Sequence, residues 1–222
     1  MTTGVEFFEV KDPDAPVRGY LHRAPGSADL LILTHGAGAN CQTPLLAALA
    51  ESFCASGLSV LRCDLPFRQT RPYGPPHPGS AGRDQAGLRA AVVAMRRLCQ
   101  GKVFLGGHSY GGRQASILAD AEPNLVEGLL LLSYPLHPPK KPEVLRTRHF
   151  PTLHVLALFV QGTRDGFATI AEMQSAMTLI PSRTELVTIE RAGHELMTPA
   201  NRDELIPQVT SRFLAFAGTT AG

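Results

Sequence analysis

Short, almost wholly apolar segments alternate with helix-like patterns along most of this chain, and this alternation limits the folds open to it. "LLILT", "GLLLLS" and "VLALFV" have the composition of strands that helices cover on both faces of a parallel sheet. The first two predicted strands partly alternate between apolar and polar residues, as half-exposed antiparallel strands do. Strands are predicted over Val5–Val10, Val17–Arg23, Leu30–Thr34, Ser59–Cys63, Val103–Leu105, Val126–Leu132, Val155–Val160 and Glu185–Ile189.

Helical patterns fill the intervals between these strands. They lie at residues 43–57, 86–101, 113–122, 169–181 and 200–218. The first has Thr43 as a candidate N-cap and Pro44 in its first turn, and the last is predicted despite Pro207 near its middle. Strands and helices alternating at this spacing predict a three-layer α/β/α sandwich with a mostly parallel sheet, as a single domain over residues 1–222.

The composition is that of a globular protein, because 44% of the 222 residues are hydrophobic and 18% are charged. The net charge is +2 and the basic residues are scattered, so we expect no nucleic-acid partner. No secretory pattern and no apolar run of about 20 residues is visible, so we expect a cytoplasmic protein with no membrane partner. The four cysteines form no C-x-x-C pair, so we expect no metal site. Their even number is compatible with two disulfides, but for a reducing cytoplasm we expect free, mostly buried thiols.

Two proline-rich segments interrupt the alternation. Residues 65–80 and residues 135–151 hold five prolines each, and proline at this density blocks helix interiors and central strands. Both are predicted to be loops that leave the carboxyl ends of strands, where ligands bind in open α/β sheets. They are either close to a functional site or ordinary surface connections.

The stretch "VFLGGHSYGGR" places Ser109 in a G-x-S-x-G motif, between a predicted strand and a helix-compatible segment. In this context the motif is typical of a nucleophile elbow, a tight turn that raises the serine hydroxyl above the sheet edge. Small neighbours are needed because side chains there would collide with the adjacent strand and helix. We therefore expect Ser109 to be a nucleophile, and we expect the neighbouring His108 to point away and to be structural.

A serine hydroxyl needs a base within hydrogen-bonding reach, and the base needs an acid that orients it. Asp165 follows the apolar "LALFVQG" segment, and His194 follows the next predicted strand after a small-residue turn. Both residues therefore come at the sheet edge that carries Ser109. The chain order of serine, acid and histidine is the order found in hydrolases with such sheets. We predict a triad of Ser109, His194 and Asp165.

Other residues of the right type stay open as alternatives. Glu172 or Glu195 is a substitute for the acid, and Asp165 alone is also a typical turn residue. His194 alone is equally compatible with a surface or capping role. Three further histidines are candidate bases by type but precede Asp165 in the chain: His137, His149 and His154.

Acyl transfer also needs backbone N–H donors that face the developing oxyanion. "LLILTHGAGAN" supplies a glycine-rich loop after an early strand, and we assign one donor to the Ala37 amide, with Gly36 or Gly38 as alternatives. The second donor is the amide of Tyr110, next to the nucleophile. The same glycines can instead mark only a turn before the following helix.

The short span between Ser109 and Asp165 leaves no room for a large lid domain. We therefore predict a small, fairly open site that admits a small-molecule acyl substrate. Candidate residues that line it are Phe67, Tyr73, Tyr134 and His137.

Several of these segments together resemble the α/β-hydrolase superfamily: "LTHGAGAN", "GGHSYGGRQAS", "QGTRDGF" and "AGHEL". More narrowly, "SYPLHPPKKPEVLR" and "GGRQAS" resemble a small, dienelactone-hydrolase-like group that includes the testis-expressed protein thirty and the third subunit of the KANSL complex. The resemblance implies the α/β-hydrolase fold and carries the family's nucleophile, acid and base onto Ser109, Asp165 and His194. It implies serine hydrolysis of an ester or related acyl group without a metal or organic cofactor. A non-catalytic scaffold for protein partners and an acyltransferase are the alternatives.

Overall fold

Eight strands form one sheet in the computed structural model, which describes residues 4–219. The spatial order of the strands is β1-β2-β4-β3-β5-β6-β7-β8. The β1–β2 and β2–β4 pairs are antiparallel and the other five pairs are parallel, as the sequence predicted. The strands are β1 (Val5–Val10), β2 (Val17–His22), β3 (Leu30–Thr34), β4 (Ser59–Asp64), β5 (Val103–His108), β6 (Gly128–Leu132), β7 (Leu156–Gly162) and β8 (Thr184–Ile189).

Helices cover both faces of this sheet. They are α1 (Pro44–Ala55), α2 (Pro66–Thr70), α3 (Ala81–Arg96), α4 (Tyr110–Ala121), α5 (Ile170–Met177) and α6 (Arg202–Ala217). Apolar side chains of α3, α4 and α5 pack with Leu105 and Phe159 on one face, while those of α1 and α6 pack with Phe104 and Leu158 on the other. Because each central strand is buried on both faces, its residues are apolar without alternation. The predicted three-layer sandwich is confirmed.

Strand β5 continues to His108, beyond the predicted end at Leu105. The apolar run stops earlier because two glycines follow, and these glycines are still part of the strand. A Cβ on Gly106 would collide with the carbonyl oxygen of Leu130, and a Cβ on Gly107 would lie 2.6 Å from that of Thr34. The close approach of the neighbouring strands therefore requires glycine here, and the strand delivers the next residue to the sheet edge.

The helix boundaries differ from the prediction in three places. Helix α2 lies within the segment 65–80 that was predicted as a loop, because Pro66 takes the first helical position, where proline is tolerated. Helix α3 begins five residues before the predicted start, and α5 ends at Met177. Helix α6 continues through Pro207 as predicted.

All four cysteines are unpaired, and Cys41, Cys54 and Cys63 are buried. Burial raises the pKa of the Cys41 thiol to about 12, so this thiol stays protonated at neutral pH. Among the helices of residues 4–219, none combines the length and the apolarity that crossing a bilayer requires.

Candidate active site

The tight turn between β5 and α4 holds Ser109 in an unusual backbone conformation. Its φ is 51° and its ψ is −116°, in the region that normally favours glycine. The Ser109 amide donates to the Leu132 carbonyl at 2.8 Å, which ties the turn to β6. A Cβ on Gly111 would lie 2.5 Å from the His35 carbonyl oxygen. Small residues around the serine are thus a steric condition of the turn.

The three residues of the predicted triad lie within hydrogen-bonding distance of one another. Ser109 Oγ is 2.8 Å from His194 Nε2, and His194 Nδ1 is 2.9 Å and 3.1 Å from the two carboxylate oxygens of Asp165. Since Nδ1–H donates to the carboxylate, Nε2 is left to accept the serine proton. Asp165 follows β7, His194 follows β8 and Ser109 follows β5, so three strand ends bring the side chains to one sheet edge.

Further contacts hold the predicted acid, Asp165, and the predicted base, His194, in place. The Asp165 side chain is fully buried and accepts from Gln161 Nε2 and from the Phe167 amide, both at 2.8 Å. The Phe167 ring stacks on the imidazole of His194, with ring centroids 4.1 Å apart. His108 Nε2–H donates to the backbone carbonyl of His194 at 2.8 Å, and burial lowers the pKa of His108. The imidazole therefore has little freedom to leave the serine.

Two side chains, His35 and Arg68, fix the loop after β3, which holds the predicted oxyanion donor. His35 Nε2 accepts the Leu65 amide at 3.1 Å while its Nδ1–H donates to the Gly36 carbonyl at 2.8 Å. The buried guanidinium of Arg68 donates to the carbonyls of Ala37 at 2.8 Å and Ala39 at 2.7 Å. It also reaches two carbonyls farther along its own loop, each at 2.9 Å. We call this set of four hydrogen bonds the Arg68 clamp.

Both amides predicted as oxyanion donors belong to residues that line the same cavity as Ser109. The amide of Ala37 has no acceptor within the part of the chain that the structure describes. Tyr110 is the first residue of α4, where an amide has no acceptor inside the helix. The Tyr110 hydroxyl points elsewhere and donates to Asp84 at 2.8 Å. Burial, followed by this hydrogen bond, raises the pKa of the Tyr110 hydroxyl.

A cavity of about 560 Å³ opens over the serine. Its walls come from the loop at residues 36–39, from the start of α4 including Arg113, from Phe167 and from His194 with Glu195. The proline-rich loop 135–151 contributes Pro135 and Arg146. The other proline-rich segment, 65–80, contributes no lining residue but holds the 36–39 loop through the Arg68 clamp.

The four residues predicted to line the substrate site lie outside the cavity lining. Phe67 is buried between the rings of His35 and Tyr110, with centroids 5.7 Å and 5.9 Å away. Tyr134 is fully buried, and its hydroxyl donates to the Arg146 carbonyl.

His137 is also buried, with its ring nitrogens 2.8 Å from the Pro138 carbonyl and 3.4 Å from Glu172. Tyr73 is 85% exposed on the surface. Placement in a loop after a strand brought these residues near the sheet edge, but their side chains turn into the core or outward to solvent.

The alternative acids and bases take other roles. Glu172 caps α5 by accepting from the amide and the hydroxyl of Thr169, at 2.7 Å and 2.8 Å. His149 Nε2 lies 2.8 Å from Ser116 Oγ, in the core beneath α4. His154 is exposed. Glu195 lines the cavity but makes no ion pair with His194 in the described residues.

Sequence reasoning missed several residues that build the site: Gln161, Phe167, Arg68, Arg113 and Arg146. For Arg113 a signal was present, because it lies four residues after Ser109 and so on the same face of α4. Within residues 4–219, no three His, Cys, Asp or Glu side chains are grouped so that they can hold a metal ion.

The sheet order with its antiparallel β1 and β2, the elbow after β5, and an acid and a histidine after β7 and β8 define the α/β-hydrolase fold. A family model described as "Alpha/beta hydrolase domain" matches residues 27–217. The chain therefore belongs to this family of α/β-hydrolase domains.

Solved structures with similar folds include several enzymes. Est1E from Butyrivibrio proteoclasticus with bound ferulic acid has a TM-score of 0.79 at 15% identity, over 96% of this chain and 100% of that chain. A dienelactone hydrolase from Anabaena variabilis has a TM-score of 0.75 at 20% identity, over 96% and 98%. A Pyrococcus furiosus esterase has a TM-score of 0.76 at 17% identity, over 99% and 92%. Identities this low show a shared fold.

Proposed function

We propose that this protein is a serine hydrolase that acts on a small-molecule ester or related acyl substrate. The observation that carries the proposal is the unbroken hydrogen-bond chain from Ser109 Oγ through both nitrogens of His194 to Asp165, at the floor of an open cavity. The esterases among the structural neighbours support the same reaction class.

The reaction begins with His194 Nε2 accepting the proton of Ser109 as Oγ attacks the acyl carbonyl. Asp165 stabilises the imidazolium that forms, and its two donors, Gln161 and Phe167, keep its carboxylate oriented. His194 then returns the proton to the leaving group, which departs and leaves an acyl-enzyme. Water, deprotonated by His194, hydrolyses this intermediate and frees the serine.

The negative charge that develops on the carbonyl oxygen is held by the amides of Ala37 and Tyr110. Donors of this kind act in the transition state rather than in the ground state, and loss of one costs about 100- to 1,000-fold in rate. The two amides come from different elements, the 36–39 loop and the start of α4, so the loop must be held rigidly for both to point at one oxygen.

On the narrower sequence resemblance, we propose that this chain is related to the small group that includes the testis-expressed protein thirty and the third KANSL subunit. We propose that it shares their fold without a large lid and works in the cytoplasm as a single domain. A carboxylic ester and a thioester both fit the proposed chemistry.

A fluorophosphonate probe tests the nucleophile, because it reacts covalently with an activated serine. We expect the wild-type protein to be labelled on Ser109 and the Ser109→Ala variant to be unlabelled, with both variants folded by circular dichroism. Hydrolysis of 4-nitrophenyl esters of two to eight carbons, beside the matching thioesters, then separates esterase from thioesterase activity. Folded wild-type protein that is neither labelled nor active on any of these substrates refutes the proposal and favours a non-catalytic scaffold.

A further inference from the structure

Two arginines line the cavity that contains Ser109. Arg113 lies one turn along α4 from the serine, and its amide donates to the Ser109 carbonyl at 3.0 Å. Arg146 comes from the proline-rich loop 135–151. Both also line a neighbouring cavity of about 460 Å³, so the two cavities share these two arginines.

Neither guanidinium has a carboxylate partner in the described residues. No Asp or Glu oxygen of residues 4–219 lies within 4.0 Å of either side chain. Arg113 Nε is buried and has no hydrogen-bond partner at all. Arg146 has one side-chain hydrogen bond, from Nη1 to the Pro135 carbonyl at 3.3 Å. Most of their ten donor hydrogens are therefore free to bind something else.

The pattern at the half-buried Arg113 and Arg146 differs from that of the two buried arginines. Arg62 and Arg68 are buried without a carboxylate, but backbone carbonyls and, for Arg62, the ring of His22 satisfy their donors. Arg113 and Arg146 lack such partners and stand close to each other. Burial, and then the charge of Arg113, lowers the pKa of the Arg146 guanidinium.

Two acidic residues lie in the surroundings, and neither neutralises the pair. Glu195 lines the catalytic cavity but is exposed. Asp120 lines the neighbouring cavity, where Arg148 and His149 accompany it, and its own buried Oδ1 has no partner. The cavity lining therefore holds two arginines against one carboxylate, and two like charges that are partly removed from water are stabilised by a bound anion.

We propose that Arg113 and Arg146 bind an anionic group, a carboxylate or a phosphate, on the acyl substrate that Ser109 attacks. This inference rests on the proposed hydrolase function and narrows its substrate class to acidic esters. Guanidinium forks match the oxygens of both anions, and two forks hold such a group at a fixed distance from the serine. A neutral ester of the same size leaves these donors without partners, which weakens its binding and its orientation.

The test compares esters that differ only in charge. One pair places the charge on the acyl side: mono(4-nitrophenyl) adipate against 4-nitrophenyl hexanoate. A second pair places a carboxylate on the leaving group, 4-acetoxybenzoate against its methyl ester, and a third places a phosphate there, 4-acetoxyphenyl phosphate against its dimethyl ester. The measured quantity is the ratio of kcat/KM within each pair, at 0.15 M salt, where long-range charge effects are screened beyond about 8 Å.

We expect wild-type protein to prefer the charged member of at least one pair by about tenfold to a hundredfold, the range for hydrogen bonds to charged groups. Arg113→Ala and Arg146→Ala should each lower that ratio at least tenfold. Arg113→Lys, which keeps the charge but loses the fork, should retain part of the preference. Arg148→Ala is the matched control, because Arg148 lies on the same loop, is exposed and does not line the catalytic cavity.

The outcomes separate the two proposals. If neutral esters are hydrolysed through Ser109 but the ratio is near one in all three pairs, or is the same in the arginine variants, the anion site is refuted and the hydrolase function stands. If only Arg113→Ala fails to fold, Arg146→Ala and Arg113→Lys decide. Absence of both labelling and hydrolysis refutes the hydrolase function itself, and the acidic substrate with it.

Discussion

The Arg68 clamp predicts that a residue outside the cavity controls the turnover rate. Arg68 is only 4% exposed and holds the carbonyls on both sides of Gly38 through bonds of 2.8 Å and 2.7 Å. In Arg68→Met the side-chain volume is largely kept, but these two carbonyls lose a charged donor. A hydrogen bond to a charged group contributes about 1.5–3 kcal/mol, so we expect a loss of about 3 kcal/mol in the free energy of unfolding.

The larger effect should fall on kcat. If the 36–39 loop is no longer held, the Ala37 amide points at the oxyanion for only part of the time, and a lost donor costs about 100- to 1,000-fold. We expect kcat on a neutral 4-nitrophenyl ester to fall about 100-fold, with KM within about threefold, because the amide acts in the transition state. Arg68→Lys should be intermediate, since one ammonium group replaces a fork that now reaches four carbonyls.

The matched control is Arg71→Met, on the same loop. Among the described residues, the Arg71 guanidinium makes one hydrogen bond, with the exposed His77 at 3.1 Å, and the Arg71 carbonyl that accepts from Arg68 is kept. This variant should keep wild-type kcat. A folded Arg68→Met protein with kcat within threefold of wild type would show that the loop keeps its conformation without the clamp, and the reasoning would be refuted.

Three further predictions concern the sheet, the acid and the core. Gly106→Ala should lower the free energy of unfolding in urea by about 1–3 kcal/mol, because the new Cβ would collide with the backbone of β6. Gly82→Ala, in open space on α3, should raise the free energy of unfolding by about 0.5–1 kcal/mol, and equal effects of the two substitutions would contradict this reasoning. Gln161→Leu removes a hydrogen-bond donor from the Asp165 carboxylate and should lower kcat about tenfold at unchanged KM. An unchanged kcat would show that Gln161 does not position Asp165 for the reaction. Burial lowers the pKa of His149 to about 4 in the folded protein, below the value of about 6.5 in the unfolded chain. As the pH falls from about 6.5 to 4, the unfolded chain takes up a proton that the folded protein does not bind, and the free energy of unfolding decreases by on the order of 3 kcal/mol. His149→Asn should remove this contribution and make the pH dependence shallower, whereas His154→Asn should not; His22 and His35, whose pKa values burial also lowers to about 4, keep the rest of the slope.

The arrangement of the candidate site along the chain could be predicted from the sequence because the topology of the sheet determines which residues meet. In a parallel sheet, residues that follow strands meet at one edge. Ser109, Asp165 and His194 follow β5, β7 and β8, and this is enough to bring them together without any knowledge of side-chain packing. The same reasoning located the loop after β3.

Side-chain direction was not readable in this way. Tyr134 and Phe67 lie on the expected segments, yet both turn into the core because burial of an aromatic ring is favourable and a loop position alone does not prevent it. The Arg68 clamp joins two loops through backbone carbonyls 29 and 31 residues before Arg68, and the sequence gives no sign of which carbonyls accept hydrogen bonds. The predicted end of β5 at Leu105 was too early for a related reason. The apolar run stops there, but Gly106 continues the strand, and its missing side chain lets β6 pack close to β5.

The φ of 51° at Ser109 has a consequence for how this protein can change over time. A left-handed backbone at a residue with a side chain costs about 1–3 kcal/mol, and glycine relieves most of that cost. A substitution of Ser109 by glycine, which removes the hydroxyl, is therefore expected to stabilise the protein. A descendant that no longer needs the proposed reaction gains stability when Ser109 is replaced by glycine, so we expect a glycine at position 109 in copies of this fold that have become binding proteins.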